Sequence, residues 1–434
     1  MMSDGRERAW RARKADAGTL LARRLRQSVI YRGMRRLGLW DWMDELVELL
    51  ATERGHEADA RPARDRLRAI AVDLTTLRPP GERGGSNLLA PGWLEQMSLA
   101  WPDVQFTVAT TIPDVLASHD QLGSNVRVVG SAREAASGAD VLFCPLTHVP
   151  QGIDMQVPIV SVVYDLQHEA YPQFFPLEVL EARIHELRRA FLFSESIVCI
   201  SEAARRSVIE AGLAEGEAVT AIPVRFREEA LRSPDPAELP FGLEPETYLL
   251  YPANFWEHKN HELLLTALGI YFHAHPDSAL RCVCSGFRNG WTAELEETAR
   301  RMGLGDRVLF PGYLERERLL GLMAGAKALI FPSLYEGFGM PVAEAIVMGR
   351  PVLAARIPAI EEAAGDAAYY FDPRNPHAVA AAIETLEADP ACLARLRERA
   401  AARRSVLCDV EGAMSRFRAV FEQAAGVLAG GETS

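Results

Sequence analysis

From Leu67 onward the chain alternates short apolar runs with longer segments of helical periodicity. Near-continuous apolar runs suit strands buried on both faces, and their alternation with helices is the pattern of a doubly wound parallel sheet. A first set of predicted strands comprises Arg68 to Val72, Gln105 to Ala109, Val126 to Val129, Asp140 to Phe143, Pro158 to Val163, Ser196 to Ile200 and Val219 to Ile222. Ser233 to Pro245, with Pro234, Pro236, Pro240 and Pro245, interrupts the pattern and reads as an interdomain linker. A second set follows at Tyr248 to Tyr251, Arg281 to Ser285, Val308 to Phe310, Ala328 to Phe331 and Val352 to Ala355, and the closing segment, Pro376 to about Val427, is largely helical. Two α/β domains facing each other enclose a cleft, with ligands expected beyond the carboxyl ends of the strands.

Before this pattern, Leu20, Leu21, Leu25, Val29, Ile30, Met34, Leu37 and Trp40 recur at helical spacing. The first forty residues hold eleven Arg or Lys and three acids, so the predicted helix is basic as well as amphipathic. Such a helix suits an anionic membrane surface, and equally a helical extension packed on its own domain or on a second copy of the chain.

Composition narrows the class. At 434 residues, 48% hydrophobic and 24% charged, the chain reads as a globular protein of two or three domains. A net charge of -12 argues against nucleic acid as a partner. No apolar run reaches transmembrane length, and the amino terminus lacks the apolar core of a secretory signal, so the expected location is cytoplasmic, with the inner face of the membrane open through the basic helix. Cys144, Cys199, Cys282, Cys284, Cys392 and Cys408 are scattered, and the one CxC has no partner pair or histidine nearby; reduced core thiols are expected, and no metal site.

The segment Phe331 to Gly349, FPSLYEGFGMPVAEAIVMG, carries the most chemistry. Pro332 ends a strand, Gly337 and Gly339 allow a sharp turn against a ligand, Pro341 suits a first helical turn, and Gly349 suits its stop. The exposed helix start favours a phosphate, while Glu336 and Glu344 flank it. Carboxylates beside a phosphate repel it, so their natural partners are hydroxyl groups, which a nucleotide sugar supplies at both ends of its diphosphate.

Three other segments face the same cleft. In Asn254 to His261, NFWEHKNH, Lys259 stands where a helix begins, although a helix start disfavours cations, and its ammonium can meet a diphosphate. Arg78 to Leu89, RPPGERGGSNLL, follows the first strand, and Gly85 allows close backbone approach to an anion. In Tyr164 to Phe175, YDLQHEAYPQFF, Asp165 and His168 are placed to face the cleft, where each can bond a hydroxyl.

The run Glu336, Gly337, Phe338, Gly339, Met340, Pro341, Glu344, Ala345, Gly349, Pro351, Val352 resembles the signature of the GT-B glycosyltransferases of family 4, retaining enzymes that use nucleotide sugars. The resemblance implies an α/β fold of the GT-B type: two Rossmann-like doubly wound domains facing a cleft, here with an N-terminal helical extension. The expected divisions are 1–66 for the extension, 67–240 for an acceptor domain, 241–407 for a donor domain and 408–434 for a helix crossing back. It further implies that Lys259, Gly85 and the amides near Gly339 and Met340 hold the diphosphate, that Glu344 holds the ribose and Glu336 the transferred sugar, and that Asn254 and Tyr313 lie in donor-binding loops. Transfer with retention of configuration, without a metal or other cofactor, is expected, to a saccharide or lipid-linked saccharide acceptor. The HKNH and YPQFF segments resemble those of bacterial enzymes building surface polysaccharide, among which mannosyl transfer from GDP-mannose is common. Two departures stand out: the arginine usual a few residues before Lys259 is missing, with His258, His261 or an arginine from elsewhere in the chain as alternatives for its charge, and Tyr164 replaces a usual histidine. They leave room for a catalytically silent scaffold of the same fold; a UDP- or dTDP-sugar donor is a further alternative.

Overall fold

The apolar runs form two parallel sheets in the computed structural model, which describes residues 65–79, 84–117, 122–153, 157–214, 216–232 and 239–427. The basic N-terminal helix expected before residue 66, the stretch 80–83 of the first glycine loop, and residues 233–238 of the linker lie outside the described residues.

The first sheet contains β1 (Ala69–Leu74), β2 (Gln105–Thr110), β3 (Val126–Val129), β4 (Val141–Cys144), β5 (Ile159–Val163), β6 (Ser196–Cys199) and β7 (Val219–Ala221), in the order β3-β2-β1-β4-β5-β6-β7. The second contains β8 (Tyr248–Pro252), β9 (Arg281–Ser285), β10 (Val308–Gly312), β11 (Ala328–Phe331), β12 (Val352–Ala355) and β13 (Tyr369–Phe371), in the order β10-β9-β8-β11-β12-β13. Each predicted strand is present within two residues at either end, and β13 is an addition at the sheet edge. In both sheets the chain reverses its direction of travel once, between β1 and β4 and between β8 and β11. Such switch points open a crevice at the strand ends because the flanking connections leave in opposite directions.

The helices that matter for the site are α1 (Ser86–Ala100), α2 (Gln167–Ala170), α3 (Leu177–Phe193), α4 (Glu202–Glu210), α5 (His261–Ala274), α6 (Arg316–Gly325), α7 (Met340–Val347), α8 (Pro358–Ala364), α9 (Pro390–Leu407) and α10 (Val410–Ala425). Helix α9 packs on α7 of the second domain, whereas α10 packs on α1, β4 and β5 of the first. The return is an apolar one. Ala413, Met414, Phe417, Val420, Phe421 and Ala424 recur at helical spacing, and Phe417 meets Trp93 at 5.5 Å while Phe421 meets Phe143 at 5.1 Å between ring centroids. Burying such a ring contributes about 1.5–3 kcal/mol, enough to hold the last helix on the domain opposite the one it leaves.

The two domains also meet directly. Ser201 caps α4 by accepting from Ala204 N at 2.8 Å, and its hydroxyl donates to Gly337 O at 2.6 Å across the cleft. Glu362 of α8 accepts from Glu202 N at 2.7 Å and Ala203 N at 2.8 Å, so a carboxylate of one domain satisfies the orphan amides at a helix start of the other. The six cysteines are all free, and among the described residues no helix is long and apolar enough to cross a membrane.

Candidate active site

Lys259 and Glu336 follow β8 and β11, the two strands that bracket the second switch point. After β8 the chain makes a single 3-10 turn, Glu257–Lys259, and Asn260 then takes a left-handed conformation at φ 64° before α5. Asn260 tolerates this because its side chain is bonded: Nδ2 donates to Pro332 O at 3.1 Å and Pro373 O at 2.7 Å, tying this loop to the ends of β11 and β13. The buried Tyr251 hydroxyl donates to Lys259 O at 2.5 Å. With its backbone fixed, Lys259 directs Nζ onto Glu336 Oε1 at 2.5 Å, where Ser333 Oγ donates at the same distance. Both side chains are mostly buried, 13% and 11% exposed.

Helix α7 starts as its sequence dictates. Gly339, at φ 93°, occupies a conformation that a side chain disfavours, and Pro341 fills the first turn. Glu344 is buried and accepts from Arg316 Nη2 of α6 at 2.7 Å. This carboxylate raises the Arg316 pKa, against the opposing effect of burial. Tyr313, just before α6, is 41% exposed.

Across the cleft, a side chain on Gly85 would meet Met340 Sδ at 2.5 Å, and one on Gly84 would meet the Trp256 ring at 3.2 Å. The glycine loop of the first domain therefore lies against the start of α7. A side chain on Gly337 would strike the carbonyl of Tyr164, and Asp165 lies beside it. Gly85, Gly339, Met340, Glu336, Lys259 and Asp165 are thus gathered along one seam.

The remaining sequence-derived residues have other partners. Asn254 Oδ1 accepts from Phe287 N at 2.9 Å, bracing the loops after β8 and β9. Asp165 Oδ1 accepts from Gln167 N at 3.1 Å and lies 3.8 Å from Arg183 Nη1 of α3. His168 is buried in α2 with neither ring nitrogen bonded among the described residues, and burial lowers its pKa. Tyr164 is pinned inward: its hydroxyl donates to Pro145 O at 2.7 Å, its ring stacks on Trp93 at 6.2 Å, and burial raises its pKa. His258 and His261 do not supply the charge of the missing arginine. Burial first, and then the neighbouring Lys259 charge, depress them to about 2 and about 3, so both are neutral near pH 7. Among the described residues no group of His, Cys, Asp and Glu is gathered as metal ligands would be.

Residues 240–403 match the family model described as Glycosyl transferases group 1. They form a glycosyltransferase group 1 domain. Among curated proteins, the chain is 27% identical over 234 residues to the O-antigen chain mannosyltransferase B of Escherichia coli, covering 52% of this chain and 60% of that one. It is 31% identical over 254 residues to a glycogen synthase of Mycobacterium tuberculosis strain H37Rv, covering 57% and 58%. The chain thus spans about three-fifths of the length of either relative. The solved structure of Anabaena Alr3699/HepE in complex with UDP and glucose shares the fold, with a TM-score of 0.64 at 19% identity, over 82% of this chain and all of that one. The architecture is accordingly that of the GT-B glycosyltransferases, two Rossmann-like domains with a cleft between them.

Within residues 240–403, sequence reasoning missed Arg316, Ser333 and the cross-domain cap by Glu362, and outside them Arg183. Arg316 had a readable signal. A cation in the first turn of a helix opposes the dipole, as Lys259 does at the approach to α5, and so calls for an anionic partner. Arg183 and Ser333 had none, since their roles depend on which strand ends lie side by side.

Proposed function

We propose that this chain moves a sugar from a nucleotide sugar to an acceptor hydroxyl with retention of anomeric configuration. GDP-mannose is the donor we favour, and a saccharide or lipid-linked saccharide of a bacterial surface polysaccharide or glycolipid is the acceptor class. The likeness to O-antigen chain mannosyltransferase B supports mannose; that to a glycogen synthase keeps glucosyl donors as the principal alternative.

The observation that carries the reading is the Lys259–Glu336 pair at the switch point of the second sheet, with Gly85 of the first domain against Met340 beside it. A diphosphate entering that seam meets the Lys259 ammonium and the start of α7, which together offset the charge that develops on the leaving group. Glu336 then accepts from hydroxyls of the transferred sugar, and Glu344, braced by Arg316, accepts from the ribose. The acceptor hydroxyl attacks from the face that the diphosphate leaves, and the departing phosphate oxygen takes its proton. Catalysis in this scheme is positioning plus charge. Asp165 is assigned to orient the acceptor, and no divalent cation is assigned a role. The site of action we assign is the cytoplasm, with the inner membrane face reached through the basic N-terminal segment.

Thermal shift against GDP- and UDP-sugars, followed by nucleotide release with candidate acceptors and by the anomeric coupling of the product, tests the proposal. Stabilisation by one nucleotide sugar, turnover that survives EDTA, and a retained anomer are expected. Binding without turnover for every acceptor would favour the silent scaffold.

A further inference from the structure

Glu336 lines a second space besides the seam with Lys259. A cavity of about 410 Å³ is walled by α4 of the first domain and by the segments following β11, β12 and β13 of the second. Its size falls in the range of ligand clefts, roughly 300–1,000 Å³. No residue of its far wall belongs to the donor-binding set described above.

The lining decides what it can hold. Arg206, Glu210 and Arg374 line it, and their side chains make no hydrogen bond or ion pair among the described residues. Asp372 also lines it, its side chain engaged among the described residues through Oδ1, which accepts from Arg374 N at 2.9 Å. Arg356 is already committed, to Glu361 at 2.9 Å and to the face of Tyr370 at 4.7 Å. Two uncommitted guanidinium groups therefore stand with two carboxylates, and the charges cancel. An anion would meet both signs, whereas a neutral polyhydroxyl ligand finds donors in the exposed arginines and acceptors in the exposed carboxylates, each able to form a charge-assisted bond. Tyr335, on the same wall, is half-buried, its ring meeting Tyr171 at 6.1 Å and its hydroxyl accepting from Leu166 N at 3.3 Å.

We infer that this cavity is a saccharide subsite, built jointly by α4 and the second domain, that seats the neutral sugar of the acceptor next to Glu336. The acceptor role rests on the function proposed above; the saccharide site itself does not. A sugar held there borders Glu336, the carboxylate that the proposed function gives to the sugar in transit.

Saturation-transfer NMR on the full chain tests this, with methyl α-mannoside, methyl α-glucoside and glucose 6-phosphate as probes, each with and without GDP or UDP. The wild type is expected to bind at least one methyl glycoside, and Glu210→Ala/Arg374→Ala to lose about ten-fold or more of that affinity, since each lost bond has a charged partner. Because neither side chain has a structural partner, the variant keeps its circular dichroism and its nucleotide response. Equal glycoside binding in both proteins, or none in the wild type, overturns the inference. So does a preference for glucose 6-phosphate abolished by Arg206→Ala/Arg374→Ala, which would make the cavity an anion site. If the wild type ignores both nucleotides yet binds glycosides through Glu210 and Arg374, the transferase proposal fails while the saccharide site stands.

Discussion

Lys259 Nζ lies 2.5 Å from Glu336 Oε1, although the residues are 77 positions apart and follow different strands. Each is the other's counter-ion in a largely buried place. On the proposed function a donor engages both at once, its diphosphate replacing Glu336 as the partner of Lys259 while its sugar hydroxyls replace Lys259 as the partner of Glu336.

Removing one partner leaves an uncompensated charge at the seam. Lys259→Ala is expected to lower transfer by about 10²–10³-fold, the scale for losing one group that stabilises developing charge. Glu336→Gln, which keeps the shape, should also impair transfer, and the double variant should be less impaired than the product of the singles because the two act as a unit. Multiplicative losses in a kinetic double-mutant cycle would separate the two roles.

Arg316→Ala strands the Glu344 carboxylate, whose side chain is 4% exposed, while Arg316 itself is 38% exposed. Removing the partner of a buried charge costs about 3–5 kcal/mol when the pair is wholly dry, and less here because water reaches Arg316. The expected result is a lower melting temperature and a raised KM for the nucleotide sugar. Arg316→Lys should restore part of the stability. Unaltered melting in Arg316→Ala would mean that Glu344 finds water or another donor.

The two cleft glycines should fail differently. At Gly85 the obstacle is the end of the flexible Met340 side chain, so Gly85→Ala is expected to fold normally and to lose nucleotide affinity as the methyl and the displaced sulfur narrow the seam. At Gly337 the obstacle is the Tyr164 backbone carbonyl, which moves only if the domains part. Gly337→Ala should show a larger loss of melting temperature and a larger radius of gyration by small-angle scattering. Identical behaviour of the two variants would contradict the seam as described.

Three buried histidines, His168, His258 and His261, all lowered in pKa by burial, predict an acid sensitivity of the fold. His258 and His261 are held near 2 and 3 in the folded chain, against about 6.5 when unfolded. The unfolded chain binds protons that the folded chain refuses, so their stabilising contribution is complete above about pH 6.5 and is lost as pH falls below it. Melting temperature should therefore drop between pH 7 and pH 5. The His261 ring packs against Tyr251 at 4.6 Å and Phe255 at 4.9 Å with neither nitrogen bonded among the described residues, so His261→Phe should fit and flatten part of that slope. A slope as steep in His261→Phe as in the wild type would place the sensitivity elsewhere.

The strands were legible because parallel strands are buried on both faces and so read as continuous apolar runs, as at Val352 to Ala355, where every residue is buried. The edge strand β13, Tyr369–Phe371, escaped because three residues with two half-buried tyrosines have no readable period. Lys259, Glu336 and Glu344 could be singled out from helix starts and glycine turns, but their pairing could not. Lys259 meets Glu336 because β8 and β11 are neighbours, and non-consecutive strands reveal their adjacency only in the folded sheet. The same holds for Glu362, whose carboxylate caps a helix 160 residues earlier.

Calorimetric titration of GDP-mannose and UDP-glucose into the wild type, Lys259→Ala and Glu336→Gln tests the central claim most directly. Binding of one of these donors by the wild type, lost in Lys259→Ala and weakened in Glu336→Gln, is the predicted result. Equal binding by all three proteins would contradict the account, and so would no binding of either donor by the wild type.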